Sequence, residues 1–147
     1  MNLERILEEW KKDSLIEMNA LDASSVQTTM LHAKYLELHA TYKIKLKDAE
    51  FKQSILMKNK FLWYSGKLSK EEIDAFGWDY DPYEGLKILK GDMSYFVEAD
   101  KELQVSEAKI QYLKTTIDTL KDILDTLKWR HQNIRNILEF QKFSAGF

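Results

Sequence analysis

The stretch LMKNKFLWYSGK, residues 56 to 67, sets Lys58, Lys60 and Lys67 among Phe61, Leu62, Trp63 and Tyr64. Cations beside flat aromatic faces are what a protein uses to hold a single-stranded nucleic acid, because ammonium groups track phosphates and rings stack on unpaired bases. Stacking contributes about 1–3 kcal/mol per base and tolerates any base sequence. Upstream, Lys43 and Lys47 stand at i, i+4, and Lys45 and Lys52 at i, i+7. On a helix such like charges repel by roughly 0.2–0.5 kcal/mol per pair, a cost that a bound polyanion relieves. A structural reading competes: Phe61, Leu62 and Tyr64 would close the end of an amphipathic helix, with the lysines turned outward. The two readings are compatible, and the residues alone leave the choice open.

Other chemistry is absent from the sequence. There is no GxxxxGK[ST] phosphate loop, GxSxG elbow or HExxH zinc motif, so the chain reads as a non-enzyme without a cofactor. His32 and His39 lie seven apart with no acidic third ligand at a familiar spacing, and they read as surface or packing histidines rather than metal ligands. The segment DAFGWDYDPYEG, residues 74 to 85, lacks the alternation and terminal glutamate of a calcium-binding EF-hand loop. It reads as a solvated linker; the alternative is that its aromatics Phe76, Trp78, Tyr80 and Tyr83 dock on a neighbour.

Charge separates along the chain. Residues 34 to 70 hold nine lysines against Glu37, Asp48 and Glu50, whereas residues 71 to 102 hold ten acids against Lys87, Lys90 and Lys101. Either a polyanion meets the first segment and a protein the second, or the two neutralise each other in the fold. The sequence has no cysteine, which excludes disulfides and thiolate metal sites and points to a reducing, intracellular setting. No run of 18 apolar residues marks a membrane span, and the opening MNLERILEEWKKD is charged and amphipathic rather than a signal peptide.

The elements that must position these residues are helices. Gly66, Gly77, Pro82, Gly85 and Gly91 cluster in one region, and apart from Gly146 near the end the long flanking stretches contain no breaker. Leu3, Ile6, Leu7 and Trp10 predict a first helix over residues 2 to 17. Ser24 with Gln27 predicts the cap of a second helix running to Ser65, with Leu31, Tyr35, Leu38, Tyr42, Leu46 and Ala49 on one side and Gly66 ending it. Ser69 with Glu72 predicts a short helix through Phe76. A last helix spans residues 101 to 143 and carries Ile110, Leu113, Ile117, Leu120, Leu124, Leu127, His131, Ile134 and Leu138 at alternating spacings of three and four. His131 reads as a polar layer or register device in an assembly interface. Ile123 and Ile137 widen the seam, which calls for more than one partner helix, from the same chain or from other copies. The chain is thus expected to be all-α and a single helical domain: helices with a basic DNA-binding segment in 1–66, a short helix and acidic-aromatic loop in 67–100, and an oligomerisation helix in 101–143.

Four patches resemble the UvsY family of recombination mediators from T-even-like bacteriophages: LEEWKKD (7 to 13), MLHAKYLELHATYKIK (30 to 45), LMKNKFLWYSG (56 to 66) and FQKFSAG (140 to 146). They fall in the family's order, while Lys70 to Glu98 matches poorly. The resemblance implies a helical protomer in a ring-shaped homo-oligomer, a hexamer or heptamer, that binds single-stranded DNA without sequence preference. It also implies contacts with a phage RecA-like recombinase and the phage single-strand-binding protein, in the cytoplasm of the infected bacterial host. It maps the family's basic-aromatic box onto Lys58, Lys60, Trp63 and Tyr64. The second cation, typically arginine, is Lys60 here, which keeps a point charge but loses bidentate geometry. Leu62 stands where the family has an acid. With Lys67, Lys52 and Lys45 added, these residues form the expected DNA-binding set, with Lys58 and Lys60 on an exposed face and Phe61 packed inside. The implied assembly interface is the seam of Ile110, Leu113, Ile117, Leu120, Leu124, Leu127, Ile134 and Leu138. The rival reading is a structural coiled-coil or scaffold protein with no nucleic-acid role.

Overall fold

The computed structural model describes residues 1–146. Its elements are α1 (Leu3–Asp13), α2 (Leu21–Tyr64), α3 (Lys70–Phe76), α4 (Met93–Glu98) and α5 (Lys101–Ser144), with no strand among the described residues. The chain is therefore all-α. No helix among the described residues is long and apolar enough to cross a membrane.

Helix ends follow local chemistry where a short polar side chain or a glycine is free to act. The Asn2 side chain accepts from the Arg5 N–H at 2.9 Å and opens α1. That helix stops at Asp13, four residues before the predicted end; the Ser14 hydroxyl donates to the Lys11 carbonyl at 3.2 Å, the local competition that disfavours helix continuation. Ser69 caps α3, accepting from the Glu72 N–H at 3.2 Å. Gly66 ends α2 at φ +71°, a left-handed conformation that glycine adopts without steric cost. The Lys67 N–H then reaches the Leu62 carbonyl at 2.8 Å, and the Gly66 N–H that of Trp63 at 3.1 Å. Ser24 is a correction. It lies inside α2, buried, and its hydroxyl oxygen accepts from the Glu17 N–H at 3.1 Å, so it ties down the preceding connection and does not start the helix. The six-residue α4 was not foreseen, and no side chain caps its start.

The chain forms two compact units, one of Met1–Ile44 with the chain from Lys114 onward, the other of Lys45–Leu113. In the first unit, Ile6, Leu31, Tyr35, Tyr42, Leu120, Ile123, Leu124, Leu127 and Ile134 are buried. Each such side chain contributes about 1.5–3 kcal/mol by leaving water. Trp10 meets Tyr35 edge-on, with ring centroids 5.4 Å apart. The Asp13 carboxylate accepts from Lys34 Nζ at 2.6 Å and Tyr35 OH at 2.8 Å. Burial pushes the Asp13 carboxyl upward, but these hydrogen bonds and the nearby charges outweigh it and hold the group below the ordinary carboxylate range. The Tyr42 hydroxyl donates to the Met1 carbonyl. Arg130, on α5, donates to the carbonyls of Asp13 at 3.0 Å and Leu15 at 3.2 Å.

The heptad seam is real but differently used. Ile110, Leu113, Leu120, Leu124, Leu127 and Ile134 are buried within the chain and Ile117 is half-buried. The expectation that these residues wait for other copies is corrected: the protomer covers them itself, and only Leu138, 42% exposed, stays at the surface. Thr116, Ile123 and Arg130, each one position before an a residue, are buried as well. A seam that wide faces more than one helix, and both α1 and α2 belong to the same unit. His131 is exposed, and the polar group that turns inward is its neighbour Arg130.

The second unit is built from α2 beyond Lys45, α3, α4 and α5 up to Leu113. Ala49, Tyr64, Ile73, Ile110 and Leu113 are its buried apolar residues, with Lys60 and Asp100 buried among them. The Gln53 amide donates to the Glu107 carboxylate at 2.8 Å, joining α2 to α5.

Candidate nucleic-acid interface

All of the residues from 56 to 67 belong to the second unit, and helical phase divides them. One side of α2 turns Lys60 and Tyr64 inward; the other leaves Lys58 and Phe61 in solvent.

On the inner side, Lys60 is 3% exposed. Its ammonium lies 3.0 Å from the Asp100 carboxylate and 3.4 Å from that of Glu102. It also sits over two indoles, 4.6 Å from the Trp63 centroid and 4.1 Å from that of Trp78. Asp100 does three jobs. It pairs with Lys60, accepts the Tyr64 hydroxyl at 2.7 Å, and accepts the Leu103 N–H at 3.0 Å as the N-cap of α5. Burial pushes its carboxyl upward, yet the bonds from Tyr64, Leu103 and Lys60 hold it below the ordinary carboxylate range. Burial and the Asp100 acceptor push the Tyr64 phenol well above its ordinary value, so it stays protonated as a donor. A buried ion pair of this kind adds little net stability, but removing one partner leaves an uncompensated charge at about 3–5 kcal/mol.

The acidic-aromatic loop closes over this cluster. The Trp63 indole N–H donates to the Asp79 carbonyl at 2.8 Å, and that of Trp78 to the Glu102 carboxylate at 2.8 Å. Trp78 lies 5.1 Å from Trp63 and stacks on Phe76 at 4.4 Å. The Tyr83 hydroxyl donates to the Tyr64 carbonyl. The loop is thus no mere solvated linker: Trp78 and Tyr83 dock on the α2 end of the same chain, while Phe76 stacks on Trp78 and Tyr80, 59% exposed, donates to Asp74. A depression of about 440 Å³ remains, lined by Lys60, Trp63, Tyr64, Pro82 and Asp100 among others.

Two expectations are corrected here. Lys60 is not on an exposed basic face, because two carboxylates from the start of α5 draw it inward. Phe61 is not inside: it is 50% exposed, since the inward positions of the last α2 turns belong to Lys60 and Tyr64. Trp63 is half-buried with its N–H engaged, and Tyr64 is 7% exposed.

Lys45, Lys52, Lys58 and Lys67 are all exposed. Lys52 pairs with Asp48 at 2.9 Å and Lys47 with Glu50 at 4.0 Å, while no carboxylate among the described residues pairs with Lys58 or Lys67. Exposed pairs contribute about 0.2–1 kcal/mol and are screened by salt, so they yield readily to a phosphate. Neutralisation within the fold accounts for part of the charge asymmetry: acids of the second segment hold Lys60, Glu9 and Asp13 hold Lys34, and Lys45, Lys52, Lys58 and Lys67 stay exposed. Sequence reasoning missed Asp100 and Glu102, which lie some 40 residues from Lys60 with no local signal. It also missed Phe51, 59% exposed, although its spacing of four from Lys47 and seven from Lys58 was there to read.

The family model described as "Recombination, repair and ssDNA binding protein UvsY" matches residues 9–147. The "Recombination protein uvsY" of Enterobacteria phage T4 is 29% identical over 146 residues, covering 99% of each chain. A crystal structure of the bacteriophage T4 recombination mediator protein UvsY, lattice type II, superposes with a TM-score of 0.80 at 27% identity, covering 99% of both chains. The lattice type IV structure of the same protein gives 0.78 at 24% identity, covering 98% of this chain and 99% of that one. With its model matched over nearly the whole length, the chain belongs to the UvsY family of recombination, repair and single-stranded-DNA-binding proteins.

Proposed function

We propose that this chain is a non-enzymatic recombination mediator. It binds single-stranded DNA without sequence preference and promotes loading of a RecA-like recombinase onto DNA covered by single-strand-binding protein. The observation that carries this reading, beside family membership, is the set of exposed lysines on and just beyond α2: Lys45 and Lys52 on one side of the helix, Lys47 and Lys58 on another, and Lys67 past its end. They take the phosphates. Lys60, Trp63 and Tyr64 support that surface from within by fixing the end of α2 and the loop over it. The strand, engaged along this surface, is released from the resident single-strand-binding protein and presented for nucleation by the recombinase, which supplies the ATP chemistry. The setting is the cytoplasm of the infected bacterial host.

The working form is a ring of six or seven copies, which multiplies a modest local charge into a continuous basic surface. The heptad residues are spent inside the protomer, so the contact between copies falls on apolar side chains left outside. Val26, Met30, Ala33, Ala40 and Ile44 recur along the α2 face opposite Leu31, Tyr35 and Tyr42, and Val26, Met30 and Ile44 are 70–73% exposed. Sedimentation tests this directly; a monomeric native mass would rule it out.

Titration of a single-stranded oligonucleotide at several salt concentrations tests the binding. The affinity is expected to fall with a log–log slope of about −0.7 per phosphate neutralised. Absence of binding at low salt would favour the scaffold reading instead.

A further inference from the structure

On the outer face of α2, Lys47, Phe51, Ser54, Lys58 and Phe61 follow one another at spacings of four, three, four and three. That interval keeps them on one side of a helix, over a length of about 21 Å at 1.5 Å per residue. All five are exposed, Phe51 at 59% and Phe61 at 50%. Cation and ring alternate, and each ring already carries a lysine: Lys47 Nζ lies 5.1 Å from the Phe51 centroid, and Lys67 Nζ 5.9 Å from that of Phe61. The one carboxylate paired with a stripe lysine among the described residues is Glu50, 4.0 Å from Lys47, an exposed contact that a phosphate can displace. Beside Phe61 opens a depression of about 420 Å³ lined by Met57, Met93, Val97 and Leu103, with Lys90 and Glu98 also on its wall.

We propose that this stripe is the platform for unpaired nucleic acid, with Phe51 and Phe61 as the rings on which bases stack and Lys47, Lys58 and Lys67 as their phosphate partners. The proposal rests on the single-strand binding argued above and reassigns its aromatic half. Trp63 and Tyr64, whose polar groups are engaged inside the unit, are not the stacking residues. The chemistry favours exchange over simple addition. A lysine over an exposed phenyl ring is held weakly and leaves its ammonium half in water. A base taking that face gains ring contact, and the displaced ammonium reaches the phosphate one bond system away. Alternating ammonium groups and bare ring faces match a strand of phosphates and unpaired bases; a second copy meeting the stripe through the acidic residues of 71 to 102 is the competing occupant, and the sedimentation arm of the test separates the two.

The test is the Phe51→Leu/Phe61→Leu double variant of the full chain, which keeps apolar volume and removes both ring faces. Its probes are an oligo-dT strand and an abasic strand of equal length, read by fluorescence anisotropy, with sedimentation alongside. Affinity for oligo-dT is expected to drop about five- to hundredfold per ring lost, while the salt slope, the abasic affinity and the native mass stay put. Unchanged oligo-dT affinity in the double variant would overturn the stripe and leave single-strand binding standing. A double variant that falls apart into smaller species would show that this face joins copies, and would overturn it too. If the unaltered chain binds neither strand, the mediator reading fails first, and the stripe with it.

Discussion

Two regions of the second unit have nearly the same composition and opposite fates. At the inner face of α2, Lys60, Trp63 and Tyr64 are buried or half-buried, with carboxylates, a carbonyl and other rings on every polar edge. At the outer face, Lys47, Phe51, Lys58 and Phe61 lie in water, with weak partners or none. Lysine beside an aromatic is therefore no sufficient mark of a nucleic-acid grip. What separates the two is whether acids from elsewhere in the chain reach the cation first. Asp100 and Glu102 reach Lys60, and it becomes architecture. Among the described residues no carboxylate pairs with Lys58, which stays exposed.

The most severe way to break the comparison is Asp100→Ala. It strands the Lys60 charge, takes away the Tyr64 acceptor and uncaps α5, so a loss of about 3–5 kcal/mol is expected in denaturant unfolding. The Lys60→Met/Asp100→Leu pair should recover much of that loss, as apolar replacement of a whole buried pair commonly does. If Asp100→Ala unfolds at the parental midpoint, the inner cluster is not what holds the unit. Acid gives a graded version of the same experiment. The folded Asp100 and Asp13 carboxyls are held below their ordinary value of 3.8, so the stability they contribute is present above that pH and drains away as pH falls through their folded values. Asp100→Asn should shallow that acid limb; an identical limb in the variant would remove Asp100 from the account. The finest test contrasts two lysines two positions apart. Lys58→Ala should lower the salt slope of oligonucleotide binding by about 0.7 with little change in stability, whereas Lys60→Ala should destabilise the unit and leave the slope alone. The reverse pattern would exchange the roles of the two faces.

What was legible in the sequence was local. Ser69, Glu72 and Gly77 frame α3 within a few residues of one another, Gly66 ends α2, and the absence of breakers announces two helices of 44 residues each. The buried side of α5 was also legible, because apolar periodicity reports which residues leave water. It does not report who covers them, so a seam that the protomer buries itself reads in sequence like one that waits for other copies. The same limit explains Lys60, whose fate is set by residues 40 and 42 positions onward. It explains Ser24, whose hydroxyl is claimed by a backbone N–H outside the helix rather than one inside it. The outer face of α2 went unread because attention to one apolar stripe hides a second, on the far side of the same helix.

Arg130 fastens the carbonyls of Asp13 and Leu15, residues more than a hundred positions earlier in the chain. This sets an order of events during synthesis. Residues 45 to 113 form a continuous stretch and can close on themselves as soon as they clear the ribosome. The N-terminal unit cannot, because its missing half is still untranslated. At about 5–20 residues per second, α1 waits roughly 6–23 s for Arg130 of α5 to be made. During that interval the apolar sides of α1 and early α2 have no permanent cover, so the first segment made is the last to be locked in place.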